Sequence, residues 1–343
     1  MHGLARRRLA ERLRGFLRSF GFAAACLALA ACRLPDPFTA GLFTRSAGRP
    51  TPTAADCERC HQEVYREWRA SLHAHAWTSE DFQRAAAGGR ADECTGCHAA
   101  APVSADVAPA LRQLHVAEGV TCVTCHLSPD PAAPPLAMRG PESRTSPVQI
   151  HPVIERDPLY RASELCGSCH TGAYEEWRAA SDPPQGEKQT CQGCHMPSVR
   201  RTMESVHDEH AYSAIFVALG AERELRRHDF AVPRLEAIEG LRVELASAPG
   251  GAAIARVANE LPHALPTGRF GRRELRLVAS WPGGRAERQW VRSLGQAIEA
   301  GAVLEMELPV PRDERGGVRL RLERWDHAAQ DWSPLAEANA PGP

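Results

Sequence analysis

Cys57-Glu58-Arg59-Cys60-His61 is the first of five stretches of one form, in which two cysteines are separated by two residues and a histidine follows directly. The others are Cys94, Cys97, His98; Cys122, Cys125, His126; Cys166, Cys169, His170; and Cys191, Cys194, His195. They take ten of the 12 cysteines; Cys26 and Cys32 lie in an N-terminal run rich in Ala and Leu. A zinc ribbon does not explain this pattern. It draws four ligands from two pairs, would leave the fifth pair over, and has no use for a histidine after every second cysteine. A disulfide framework is equally indifferent to the next residue, and a thioredoxin-like site is a single pair. At this content of Cys and His, roughly a few hundredths of one such motif is expected by chance.

The same spacing is the attachment signature of c-type haem, in which both thiols add to the porphyrin vinyl groups and the adjacent imidazole reaches the iron from one face. Five covalently bound haem c groups are therefore expected, one on each cysteine pair, with His61, His98, His126, His170 and His195 as proximal iron ligands. Cys57 to His195 is 139 residues. That leaves about 28 per haem, too few to build a side-chain core around each site, so the porphyrins themselves are expected to form the interior.

What fills each iron's sixth position decides between electron transfer and chemistry. Apart from the motif histidines, His2 and His327, eight remain: His73, His75, His115, His151, His207, His210, His228 and His263. Methionine is scarcer, with Met138, Met196, Met203 and Met306 beyond the first residue. Mostly bis-histidine haems are expected.

Around the motifs the texture of the chain changes three times. Residues 1–31 carry six Arg before an uncharged run of about a dozen residues, too short for the roughly 20 that cross a bilayer, and read as a cleaved export signal. Leu29-Ala30-Ala31-Cys32 resembles a bacterial lipobox, making Cys32 the expected site of lipidation. Residues 32–55, with Pro35, Pro37, Pro50 and Pro52, read as a tether, residues 56–232 as the pentahaem domain and residues 233–343 as a β-sandwich. Within the haem region Cys57 to Ala70 is echoed at an offset of 109 by Cys166 to Ala179, sharing Tyr65/Tyr174, Glu67/Glu176 and Trp68/Trp177, so one helical unit is expected twice. The second copy has Asp182 where the first has His73. Ala211 to Arg227 reads as helical. Beyond residue 233, strands are expected at Leu241–Ala246, Ala252–Asn259, Glu274–Ser280, Arg288–Arg292, Val303–Leu308 and Val318–Trp325, an immunoglobulin-like antiparallel sandwich. The fold class is thus α + β and multidomain, a mostly helical, loop-rich cytochrome part followed by the sandwich.

The whole chain has 41 basic and 42 acidic residues, with Lys188 its one lysine, and removal of residues 1–31 leaves a formal charge of −6. There is no basic excess of the kind that binds nucleic acid.

Several segments resemble the multihaem cytochromes of the cytochrome c-552/c-554 group: Cys57 to His61 followed by Trp68, Ser71, His73 and Ala74; Gly119 to His126; Met138 to Pro141; Leu165 to His170; and Cys191 to Pro197. His263 to Gly268 is similar to a segment of the sandwich domains attached to such cytochromes. The resemblance implies closely stacked haem pairs and distal ligand roles for His73, His115, His151, His210 and His263. It also implies electron transfer between redox partner proteins, such as periplasmic or membrane cytochromes and quinol-linked complexes. The lipid anchor would hold the protein at the periplasmic side of the outer membrane or at the cell surface. The alternative is a reductase or oxidase of a small nitrogen or sulfur compound with one open haem. Related enzymes often mark that haem by Lys in place of the motif His, whereas all five motifs here keep His.

Overall fold

The computed structural model describes residues 51–105, 107–141, 151–154, 156–182, 186–204, 221–230, 240–248, 251–268, 273–327 and 329–339. The export signal, Cys26, Cys32, most of the tether, His207 and His210 lie outside the described residues. Among the described residues no helix is long and apolar enough to cross a membrane.

The first part is a chain of short helices: α1 (Ala54–Glu58), α2 (Gln62–Arg69), α3 (Glu80–Ala85), α4 (Ala91–His98), α5 (Cys122–His126), α6 (Glu164–Gly167), α7 (Thr171–Ala179) and α8 (Cys191–His195). Caps start several of them. Thr53 Oγ accepts from Asp56 N at 3.2 Å while Thr53 N donates to the Asp56 carboxylate at 3.0 Å, a reciprocal box that begins α1. Thr190 Oγ accepts from Gly193 N at 3.2 Å at the start of α8, and Thr121 holds the same position before α5. In α5 and α8 the single turn runs from first cysteine to histidine, so positions i, i+3 and i+4 share one face.

Few large apolar side chains stand behind these helices. The cluster in this region consists of Ala54, Trp68 and Ala74, with Tyr65, Cys122 and Phe230 against it. Polar pins do much of the tying. Arg112, 4% exposed, donates to the carbonyls of Ala100 (3.0 Å), Leu114 (2.9 Å), His115 (2.9 Å) and Gly119 (3.0 Å) and to Thr124 Oγ (3.1 Å). One guanidinium thus ties together the backbone of two loops. Gly119 has φ +62°, and a Cβ there would lie 2.5 Å from the His73 carbonyl, so the loop before α5 packs backbone on backbone.

Two small pairings close this part. β1 (Met138–Arg139) runs parallel to β2 (Val153–Ile154), and β3 (Ser198–Arg201) pairs antiparallel with β4 (Arg223–Arg226). The β4 strand corrects the helical reading of Ala211 to Arg227: Arg223–Arg226 is extended, its Leu225 buried and its neighbours facing out, an alternation that suits a strand. The rest of that span lies outside the described residues.

The C-terminal part has two antiparallel sheets. One has the order β5 (Leu241–Ser247), β6 (Ala253–Asn259), β9 (Val303–Leu308); the other runs β11 (Asp331–Asn339), β10 (Arg319–Asp326), β7 (Glu274–Trp281), β8 (Gly284–Val291). A single apolar cluster draws on both, including Val243, Ala255 and Val257 from the first and Leu275, Leu277, Leu320, Leu322 and Leu335 from the second. The expected strands are present within a residue or so, apart from the one that begins at Gly284 and not at Arg288, and β11 is added. The class is α + β.

Candidate haem sites

None of the ten motif thiols is in a disulfide. Among the described residues no group of three or more His, Cys, Asp or Glu is placed to chelate a bare metal ion, so the pairs do not assemble as zinc centres. The motifs nevertheless come together: the Cys57 thiol lies against that of Cys122, Cys97 against Cys169, and Cys166 against Cys191. Motif one therefore abuts motif three, two abuts four, and four abuts five. Cys125 lies close enough to Cys166 and Cys169 to raise the pKa of both, which links the third motif to the fourth.

The repeated unit explains two of these contacts. Trp68 Nε1 donates to the carbonyl of Val120 at 2.7 Å, and Trp177 Nε1 donates to that of Gln189 at 2.8 Å. Each acceptor sits two residues before the first cysteine of the next motif in its pair, Cys122 or Cys191. The echo read in sequence is thus a structural equivalence, in which a helix after one motif anchors the start of another.

Imidazole orientation is fixed from the backbone. His61 Nδ1 lies 3.1 Å from Met203 O, His98 Nδ1 2.6 Å from Ala76 O and His126 Nδ1 2.9 Å from Arg139 O. A carbonyl accepts, so Nδ1 carries the proton and Nε2 is left with its lone pair for a metal. The same holds for His228 Nδ1 against Arg226 O (2.9 Å) and His263 Nδ1 against Ala264 O (3.0 Å). Burial pushes the His73 imidazole down to about 3, helped by His170 and His228, and the His170 and His228 rings to about 4. Burial also lowers His126 and His151. These rings are kept neutral, as metal ligation requires.

Three motif imidazoles face a second one. Ring centroids are 6.0 Å apart for His73 and His170, 6.1 Å for His126 and His228, and 6.4 Å for His195 and His263. Two imidazoles on opposite faces of one metal, each at about 2 Å and with the ring centre about 1 Å further, are separated by roughly 6 Å. His151 is close enough to His61 for the two charges to interact. At His98 the ring packed against the imidazole is Phe82, stacked at 4.3 Å and 15°. Arg139 and Arg201, whose side chains are 9% and 10% exposed, each leave Nε without an acceptor, donors that suit the propionates of a porphyrin. The residues present fit haem c.

Comparison with known families gives the same answer. Residues 56–127 match the model described as cytochrome c554 and c-prime, and residues 108–196 match cytochrome c7 and related cytochrome c. Over residues 56–196 the two matches support a multihaem c-type cytochrome. A crystal structure of a penta-heme cytochrome c552 from Thermochromatium tepidum shares its fold, with a TM-score of 0.51 at 17% identity, over 82% of this chain and 97% of that one. Comparison with curated proteins gives no match.

Of the distal candidates, His73 and His263 face motif imidazoles and His151 lies near His61. His115 is exposed at the start of a single helical turn, its φ +54° and its carbonyl held by Arg112. The ring opposite His126 belongs to His228, a member of the pool of eight that the resemblance did not single out. No local pattern marks it, because its position comes from β4 pairing with β3 and from Glu67 across 161 residues. His73 faces the motif of the second copy, which accounts for the lack of a histidine at Asp182.

Proposed function

We propose that this cytochrome is an electron carrier with five haem c groups, exported and anchored through Cys32, whose irons are mostly bis-histidine. The observation that carries the reading is the trio of imidazole pairs at 6.0–6.4 Å combined with thiol contacts that join motif to motif. His170 pairs with His73, His126 with His228 in place of His115, and His195 with His263; His151 serves His61. Bound at these positions, haem c supplies a reversible one-electron couple. The chain's part is to close most of the irons to outside ligands, keep imidazoles neutral, and hold neighbouring attachment points in contact so that no link is long. The order one, three, four, five is continuous through Cys57–Cys122, Cys125 beside Cys166, and Cys166–Cys191, with motif two joining at four through Cys97–Cys169.

The C-terminal part supports an immunoglobulin-like reading, since the chain crosses between sheets from β6 to β7, from β8 to β9 and from β9 to β10. Its role is to deliver His263. A mature charge of −6, made more negative by propionates, favours partners with a basic face, such as periplasmic or membrane cytochromes.

The second reading, a reductase or oxidase of a small nitrogen or sulfur compound, draws on one observation: Phe82, and no second imidazole among the described residues, packs on His98. Low-temperature electron paramagnetic resonance of the oxidised holoprotein separates the two. A carrier gives low-spin ferric signals from all or nearly all irons. High-spin signal from the greater part of the iron would overturn the bis-histidine carrier.

A further inference from the structure

Glu67 and Glu176 occupy the same place in the two copies of the repeat, each on the helix that follows a haem motif. Neither belongs to a haem motif. Both are largely buried, with 15% and 16% of the side chain exposed, which a carboxylate does not adopt without a set of donors.

Those donors follow one plan. The Glu67 carboxylate takes Arg201 of β3 through Nη1 at 2.7 Å and Nη2 at 2.9 Å, and its Oε2 accepts from the backbone N of His228 at 2.9 Å. The Glu176 carboxylate takes Arg292 Nη2 on Oε1 at 2.5 Å, and its Oε2 accepts from the backbone N of Ala264 at 3.1 Å and from Thr267 Oγ at 2.7 Å. In each case Oε1 binds an arginine from an extended or turn segment beyond the haem motifs, and at Glu67 the same arginine also reaches Oε2. In both, Oε2 accepts from the main chain at, or next to, a histidine that faces the second motif of that copy's pair. Sequence separations of 161 and 88 residues rule out a local helical role.

The far side of each segment is held independently. Arg227 N donates to Pro197 O at 3.0 Å beside His228. The side-chain amide of Asn259, fully buried, donates to the carbonyls of His263 (3.1 Å), Ile298 (2.9 Å) and Glu299 (3.1 Å). The glutamates are therefore the side of each clamp that connects to the haem helices.

We propose that Glu67 and Glu176 are equivalent positioning residues that hold His228 and His263 against the irons served by His126 and His195. The proposal rests on the bis-histidine reading, deepens it, and assigns to the repeated helix a second task besides the tryptophan anchor. Loss of one glutamate frees one segment, so that one distal imidazole leaves its iron part of the time and a small exogenous ligand can enter.

The test uses the full-length holoprotein and carbon monoxide. In reduced Glu67→Ala and Glu176→Ala, uptake at one haem should be faster than in the parent by about tenfold or more, the effect of losing one or two charged hydrogen bonds. The double variant Glu67→Ala/Glu176→Ala should show two such haems. His228→Ala and His263→Ala should each open one haem fully, and adding the matching glutamate variant should open no further haem. Arg201→Leu and Arg292→Leu, which remove the other half of each ion pair, carry the same expectation should a glutamate variant not accumulate. Glu323→Ala breaks a buried ion pair with Arg276 (2.6 Å) in the four-stranded sheet and should leave uptake unchanged, which separates positioning from general loss of stability. If the histidine variants open haems and neither the glutamate nor the arginine variants do, the clamp is wrong and the ligation stands. Histidine variants that open nothing would overturn both.

Discussion

Made in cells that lack the apparatus for attaching haem, the full-length chain should fold from Leu241 to Asn339 and fail to fold from Ala54 to Phe230. The expectation follows from where apolar side chains are found. The two sheets share a cluster that includes Leu275, Leu277, Ile298, Leu320 and Leu322, each at most 2% exposed, and burial of residues of that size contributes about 1.5–3 kcal/mol apiece. Among the described residues the haem part has mostly alanines in that role, such as Ala54, Ala74, Ala99, Ala100 and Ala137, with Trp68, Phe82 and Leu225 as its largest buried apolar side chains. Set against a backbone ordering cost of about 1–2 kcal/mol per residue, such a core does not hold a chain of short helices and loops. Limited proteolysis should leave a protected fragment containing the sheets, and cysteines of the five motifs should react at once with a thiol reagent. Equal protection of both parts without haem would show that the porphyrins are not the interior.

The second large effect is expected at His73. Its ring lies 6.0 Å from that of His170 and 4.3 Å from Phe230, in a setting that keeps it neutral. Its backbone is secured separately from its ring: His73 O accepts from Val120 N at 3.0 Å and Ala76 N at 3.2 Å, and Gly119 packs directly on that carbonyl. His73→Ala should therefore leave the loop in place and change one iron. The oxidised variant should lose one low-spin signal in favour of a high-spin one. Its reduced form should bind carbon monoxide at the haem of Cys166, Cys169 and His170, with the other haems unchanged. Retention of every low-spin signal would remove His73 from the ligand set. The outcome is informative about the repeat as well, because the ring comes from the first copy and the motif from the second.

The motifs, the repeat and most strands were legible in the sequence because each is a local pattern. Cys-x-x-Cys-His carries its chemistry in five residues, and alternation in Leu275 to Ala279 or Leu320 to Leu322 marks strands buried on one or both faces. β11 was harder to read, since Pro334 and a polar start at Asp331 blur its alternation; a bulge in the β10 pairing there accommodates the proline. The N-terminal end of strand β8 carries no sequence signal, since Gly284 to Glu287 offers no apolar period. The choice of second imidazole was the least legible feature. The pairs His73–His170, His126–His228 and His195–His263 join residues 97, 102 and 68 positions apart, and no periodicity reaches that far. Around two of these pairs the segments are packed by distant groups, Glu67 and Arg201 around β3 and β4, and Asn259 with Glu176 around the loop of His263. His115 lay near a motif in sequence, but Arg112 and the tight turn at Gly119 hold its backbone on the surface.

Intact mass of the purified red product, read together with its free-thiol count, addresses the covalent haem load directly. The polypeptide should be heavier by five additions of roughly 0.6 kDa, with no thiol left to titrate at Cys57, Cys60, Cys94, Cys97, Cys122, Cys125, Cys166, Cys169, Cys191 or Cys194. A product at the bare polypeptide mass with ten reactive thiols would contradict it.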